Sequence, residues 1–429
     1  MAKDMKTWPE DARTGLDARA PWAAVLLLMV VQHLNLVDRM LPAILAEPIK
    51  HDLGLSDTFL GVINGVGFLA VYAVAAIPIA RIADKGLYGS VISASLGLWS
   101  AMTALAGVVA VGWQLAITRA GVAIGEAGSV PAGQAYVSRN FAPKLRPKVL
   151  AVISVGHSLG GPVAFFVGGI LGEAIGWRNT FLLMGVIGML LAPFVIVVLG
   201  RAQAPPSVGV ARGFAGATGE LRKPTVIAIF AAVAAIAVGG NAAAAFGPAY
   251  LMRVQGMSLS ELGLKLGLIS AVIGSGGVLG VSWLGAQLAG RDPRWSLWVL
   301  AAVAILCAPF GWIAWMAHDA NTAMVGIIIS TLAGQIYTAL TVACLHSLVS
   351  SHIRAQASAV LLFWAGVAGG CGPLIVGMIS DALTPSYGVA ALGRALLLQP
   401  VAFVLGGILY LIATITLRRD IVEEGAKGG

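Results

Sequence analysis

Apolar runs, each bounded by a short polar turn, repeat along the chain, and most reach the roughly 20 residues that a helix needs to cross a bilayer. Read this way, the sequence predicts twelve crossings. Spans 1–6 fall at 21–46, 58–83, 88–111, 112–138, 147–174 and 178–200, and spans 7–12 at 224–252, 259–289, 295–316, 321–350, 355–383 and 388–417. Two polar stretches divide them. Residues 1–19 form a mixed-charge tail, and 201–223, with Pro205, Pro206 and four basic residues, reads as a linker. The predicted organisation is a first six-helix bundle over 20–200, a second over 224–417, and a tail over 418–429. The first apolar run is too long for a signal-peptide core and no cleavage site follows it, so it reads as a retained helix.

Composition sharpens this picture. The chain is 58% hydrophobic and 11% charged, against roughly 25% charged in soluble domains, which excludes a water-soluble fold. Its net charge of +8 is a topology signal. Basic residues crowd one set of turns (Arg81, Lys85, Arg139, Lys144, Arg146, Lys148, Arg222, Lys223, Arg354), while the other set has little beyond Lys50, Arg178, Arg253 and Arg394. By the positive-inside rule both termini are cytoplasmic, in a cytoplasmic membrane, and nucleic acid is not the partner. Cys307, Cys344 and Cys371 lie within spans as packing residues, with no metal-ligand spacing. No cofactor, nucleotide-binding loop or nucleophile motif is present, which points to an ion gradient as the energy source.

The two halves repeat. Gly54-Leu55-Ser56 opens span 2 and Gly256-Met257-Ser258 opens span 8. From those serines, Asp84 and Ala286 lie equally far downstream. A second constant offset aligns Arg146 with Arg354, Gly169 with Gly377, and Glu173 with Asp381. Parallel repeats of this kind build many secondary transporters.

Four ionisable residues stand inside the spans of the first half: Asp38, Arg39, Arg119 and Glu126. A charge at bilayer depth costs at least ~2.5–3.5 kcal/mol on insertion scales, so such residues mark a substrate or proton pathway by default. On span 1, Gln32, Asn35 and Arg39 share a stripe, with Asp38 one position around. On span 4, Arg119 and Glu126 are two turns apart on one face, which puts Arg119 level with Asp38 and Arg39, and Glu126 deeper. Burial and a neighbouring arginine act in opposite senses on a carboxyl's hold on its proton, so Asp38 and Glu126 are the candidate proton-coupling acids. Arg39 and Arg119, with Asn35, are the candidate anion site. The competing reading is a static salt-bridge network that holds spans 1 and 4 together. Asn64, Tyr72, His157, Asn241, Tyr250, Gln335, Thr338 and Trp364 are weaker candidates for the cavity lining. Glu47, Glu173 and Asp381, near outer ends, are expected to be solvated.

With Ala80-Arg81-Ile82-Ala83-Asp84-Lys85 at the span 2–3 turn, Arg119-x-Gly-x-x-x-Gly-Glu126-Ala in span 4 and Gly176-Trp177-Arg178 at the span 5–6 turn, the sequence resembles the major facilitator superfamily over nearly its whole length. Asn35-x-x-Asp38-Arg39, the Gly-Glu-Ala of span 4 and Asp292-Pro293-Arg294-Trp295 make it most similar to the Spinster-like branch. The resemblance implies an all-α membrane protein of twelve transmembrane helices in two pseudo-symmetric six-helix bundles, acting by alternating access. It implies proton coupling and substrate binding at the acid and arginine pairs of spans 1 and 4. It also implies a cytoplasmic gate at Asp84, Lys85, Arg146 and Arg354, in which Ala80, Leu87, Tyr88 and Gly89 depart from the family's turn. The expected partners are protons, membrane lipid and a small amphipathic anion, lysolipid-like or sphingoid-phosphate-like, carried by a monomer. Aromatic or other carboxylates are the alternative cargo, and a ligand-binding receptor or scaffold that transports nothing is the alternative function.

Overall fold

Inside a bilayer every backbone N–H and C=O must be satisfied within the protein, and a chain this apolar with no alternating pattern meets that demand as helices. The computed structural model describes residues 20–83, 85–200, 218–271, 280, 284–285, 287–288, 292, 294–350 and 353–427, and its secondary structure is helical throughout. Among the described residues, eight stretches are long and apolar enough to cross a membrane. Two of them hold two expected crossings each. Arg146–Leu199 contains spans 5 and 6, separated by Gly176 at φ 79°, and Gln356–Ile421 contains spans 11 and 12. Val197 and Ile415 are 79% and 75% exposed, as lipid-facing side chains would be.

Two expected crossings differ from the sequence reading. Span 2 is made of Asp57–Asn64 and Val66–Ala83, broken at Gly65. Span 4 is made of Gly112–Glu126 and Ser129–Asn140, broken just after Glu126. Of span 8 the described continuous part is Leu259–Ile269. The Asp84 and Ala286 positions of the repeat lie outside the described residues.

The repeat starts at corresponding caps. Gly54 and Gly256 both take positive φ, 62° and 70°, which glycine alone adopts without steric cost. The Ser56 hydroxyl then accepts from the Phe59 N–H at 3.0 Å, and the Ser258 hydroxyl from the Glu261 N–H at 3.2 Å, each satisfying one orphan donor of the helix start.

Within the first half, span 1 (Ala20–Ile44) packs on span 5, and span 3 (Tyr88–Ala106) on span 6. Within the second, span 7 (Pro224–Arg253) packs on span 11 (Arg354–Tyr387) and span 12. The halves meet through two corresponding pairs, span 2 with span 11 and span 5 with span 8, at the end of the bundle that carries the span 1–2 and 7–8 turns. We call this the closed end. Gly61 faces the Pro373–Leu374 backbone there, and Gly169 faces Gly263. A Cβ on Gly61 would stand 2.9 Å from the Leu374 Cα, against about 3.5–4.0 Å for carbons at their optimal separation. The Gly61→Val substitution is therefore expected to part the halves here by about 1 Å or more. Spin-label distances across the closed end measure this, and unchanged distances would refute it.

Candidate functional site

The four charges converge, three of them buried and Arg39 partly exposed. Arg39 donates from Nε and Nη2 to Oε2 of Glu126, at 3.1 and 2.6 Å. Glu126 is fully buried and the Arg39 side chain is about one-third exposed, at 32%. Both donors fall on one oxygen, so Glu126 Oε1 is left with no hydrogen-bond partner in the protein. Asp38 Oδ1, Arg119 Nε and Asn35 Nδ2 are likewise buried without one. Asp38 lies within electrostatic reach of Glu126 and Arg119. The separation in depth expected between Arg39 and Glu126 is bridged by the length of the Arg39 side chain.

Neighbouring spans set this cluster. In Gly121-x-x-x-Gly125 of span 4, the two glycines let span 3 come close, with Met102 against the first and the Trp99 backbone against the second. This is the small-residue route by which helices pack in membranes. It places fully buried Trp99 beside Asp38. Span 2 supplies aromatic rings. Phe68 is 4% exposed and lies under both guanidinium groups, and Tyr72 stacks on it at 6.5 Å. Asn64 is half-buried at the break in span 2, its Oδ1 unpartnered.

The other sequence candidates spread over the lining. His157 lines a cavity of about 280 Å³ with Gln32, Gln134, Ser154 and Ser158. A second groove, about 480 Å³, is wholly apolar and runs along span 2 from Ala70 to Ile79 against Ile124. Asn241 and Gln335 are exposed. Asn241 donates to the Ala237 carbonyl, and the exposed Trp364 indole to the Phe230 carbonyl at 3.1 Å. Tyr250 is not a lining residue. It is fully buried and donates to the Ala314 carbonyl, because its ring packs edge-on against Trp315. Of the residues expected to form a gate, Asp84 lies outside the described residues and Lys85 is exposed. Arg146 donates to the Phe141 carbonyl at 3.0 Å and Arg354 to the His346 carbonyl at 2.9 Å. Asp292 fastens the start of span 9 (Arg294–Trp315): the Arg294 backbone N–H and the Arg418 guanidinium hold its carboxyl below the ordinary range. Among the described residues no group of His, Cys, Asp or Glu could hold a metal ion.

The closed end carries a second charged cluster that sequence reasoning missed. Arg253, at the end of span 7, grips fully buried Asp57 with Nη1 and Nη2 at 2.7 and 2.8 Å, and reaches Glu47 with Nε at 3.0 Å. Lys50 and the Ser380 hydroxyl complete the shell of Asp57 at 2.5 and 2.6 Å. Glu47 is thus not solvated but 5% exposed. Asp381 is no free surface acid either. Its two oxygens accept the Asp57 and Thr58 N–H groups at 3.0 and 2.8 Å, so a carboxylate of span 11 caps the first turn of span 2. Glu173 of span 5 accepts the Ser260 N–H at 2.6 Å and caps span 8 in the same manner. A carboxylate there also complements the helix macrodipole. Each half therefore caps a helix of the other. The two constant offsets of the repeat, one aligning Ser56 with Ser258 and the other Glu173 with Asp381, were the signal for this.

Comparison with known proteins follows the same lines. Residues 28–373 match the Major Facilitator Superfamily. The chain is 46% identical over 409 residues to an "MFS-type efflux pump" of Mycolicibacterium smegmatis, covering 95% of each chain. It is 25% identical over 445 residues to a "Sphingosine-1-phosphate transporter SPNS2" of Danio rerio, covering 96% of this chain and 87% of that one. Among solved structures, a bacterial homolog of the human lysosomal transporter Spinster, inward-facing and unoccupied, superposes with a TM-score of 0.85 at 25% identity, over 94% of this chain and 99% of that chain.

Proposed function

The chain belongs to the Major Facilitator Superfamily, in its Spinster-like branch, as an integral membrane transporter; from that premise we propose that it moves an amphipathic organic anion by alternating access, driven by protons. The observation that carries this reading is the buried cluster of two acids and two arginines with one acid left without a cationic hydrogen-bond partner. With both acids ionised the four charges cancel. Glu126 is committed to Arg39, so the proton is assigned to Asp38. A proton there leaves the Arg39–Glu126 pair intact and gives the cluster one net positive charge, which Arg119 presents to an anion.

The apolar groove along span 2 suits a hydrophobic body beside that head. A phosphate-headed single-chain lipid fits both features, and the sphingosine-1-phosphate transporter among the relatives supports it. The efflux pump at 46% identity supports export as the direction. The closed end then faces outward, with both termini and the gate residues Asp84, Lys85, Arg146 and Arg354 at the cytoplasmic side of a cytoplasmic membrane.

Purified protein in liposomes tests the reading directly. A phosphate-headed or carboxylate-headed amphiphile is expected to cross only with the protein present, faster under an imposed pH gradient and slower once an ionophore collapses it. Binding without passage under any gradient would make the protein a receptor and sink the proposal. The arginines have their own test. Arg39→Ala and Arg119→Ala are each expected to weaken binding of the transported anion by at least ~10-fold, since hydrogen bonds to charged groups contribute about 1.5–3 kcal/mol. Arg→Lys is expected not to restore it, because an ammonium lacks the guanidinium fork. Equal affinity in both alanine variants would leave only the static network.

A further inference from the structure

Both arginines of the proposed anion site rest on a single ring. The Arg119 Cζ lies 4.9 Å and the Arg39 Cζ 5.3 Å from the centroid of Phe68. Tyr72, one turn further along span 2, stacks on Phe68 with an interplanar angle of 22° and lies 5.5 Å from Arg39. Glu126 takes two hydrogen bonds from Arg39, while Arg119 Nε has no hydrogen-bond partner in the protein. Two guanidinium groups brought together, one buried and one partly exposed, repel one another, and the less water lies between them the more they do. A ring with a negative face attracts each of them, more strongly in a desolvated setting than at a surface.

The ring is itself held in place by the packing of the two halves. Phe68 stands three residues after the break at Gly65, and Gly65 abuts the Gly370 backbone and the Pro373 side chain of span 11. Leu69, the next residue, packs against Gly370. The segment of span 2 that carries the ring is thus the segment that touches the other half.

We infer that Phe68 is a positioning residue of the anion site: its π face holds Arg39 and Arg119 together as one two-pronged anion receptor. The inference rests on the reading of those arginines as the anion site. It assigns Phe68 an electrostatic role, which a space-filling role would not reproduce. An apolar residue of similar bulk would fill the space, yet it would leave the two cations without the ring's attraction.

The test compares Phe68→Leu, Phe68→Met, Phe68→Tyr and Phe68→Trp in the full-length protein in detergent, with sphingosine-1-phosphate as the binding probe. The aromatic variants are expected to bind within about threefold of wild type, and Leu and Met roughly tenfold more weakly, as the loss of a desolvated cation–π contact implies. The reverse order, with Leu and Met tolerated and Trp damaging, would overturn the inference in favour of packing. A second measurement needs no ligand. Thermal unfolding of Phe68→Leu, Arg119→Met and the double variant is expected to be non-additive, with the Phe68→Leu loss in melting temperature at least halved once Arg119 is gone. Additive losses would overturn it, and this cycle decides the matter if wild type does not bind the probe. If Arg39→Ala and Arg119→Ala lose binding and Phe68→Leu does not, the inference fails while the anion site stands. If neither arginine variant loses binding, the anion site itself falls.

Discussion

Asp38→Asn is expected to reduce pH-driven transport to the level of protein-free liposomes while leaving the protein folded and able to exchange substrate across the membrane without a gradient. Asp38 Oδ1 has no hydrogen-bond partner in the protein, and no salt bridge to Asp38 stands among those of the described residues. The amide therefore strands no cation within bonding distance. Glu126→Gln is expected to abolish coupling as well, but with a different accompaniment. It removes the carboxylate that Arg39 grips with two donors, and breaking a buried pair costs about 3–5 kcal/mol. Because Arg39 is about one-third exposed, we expect a loss near the lower end, seen as a fall of several degrees in melting temperature. Uptake under an imposed pH gradient, substrate exchange without one, and thermal unfolding separate the two variants. Undiminished proton-driven transport in Asp38→Asn would remove the proton from that residue.

The second large effect belongs to the closed end. Asp57 is fully buried and holds Arg253, Lys50 and Ser380 at once, so Asp57→Ala leaves two cations without their shared acid. Arg253→Ala in turn leaves Glu47 and Asp57 facing one another. By the same estimate of about 3–5 kcal/mol for a broken buried pair, either change is large against the ~5.5 kcal/mol that separates 1:99 from 99:1 in a two-state equilibrium. The closed end should pass from predominantly closed to substantially open. Spin-pair distances between the span 1–2 and span 7–8 turns are expected to lengthen and broaden, with Arg253→Lys giving an intermediate result. The buried charges of spans 1 and 4 are not among the contacts of this cluster, so substrate affinity is expected to survive. A distance distribution identical to that of wild type would mean that the glycine contacts alone close this end.

Much of this architecture can be read from the residues. Helix positions follow from runs of apolar residues, and the Gly54 and Gly256 turns with their serine caps follow from the repeat. The break after Glu126 had a local signal that the continuing apolar pattern hides: Pro131, in the first turn of Ser129–Asn140, has no N–H to offer the Ala127 carbonyl, so one helix cannot run through unbroken. At the break Gly128 fits close against Ser95 and Ile79. The gathering of Asp38, Arg39, Arg119 and Glu126 was legible as a shared face but not as particular bonds. Arg39 bonds Glu126 and not its neighbour Asp38 because long flexible side chains choose partners by three-dimensional position. The closed-end cluster was misread for a related reason. Glu47 and Asp381 near helix ends look solvated until the opposite half covers them, and no local pattern reports that cover. Phe68 had no signal at all, since one phenylalanine in an apolar span is indistinguishable from packing.

The ionisable groups of the central site come from spans 1 and 4 and its aromatic rings from span 2, all in the first half. The candidate residues of the facing half, Asn241, Gln335 and Trp364, are neutral. Such a wall can change by substitution without stranding a buried ion or creating a new one. On the proposed reading, the first half carries both the coupling charges and the receptor for the anionic head, and the second half contributes a neutral wall. Drift in that wall could alter which body the cavity admits without disturbing the charges, and a chimera joining this first half to a relative's second half should keep its drive and its demand for an anionic head.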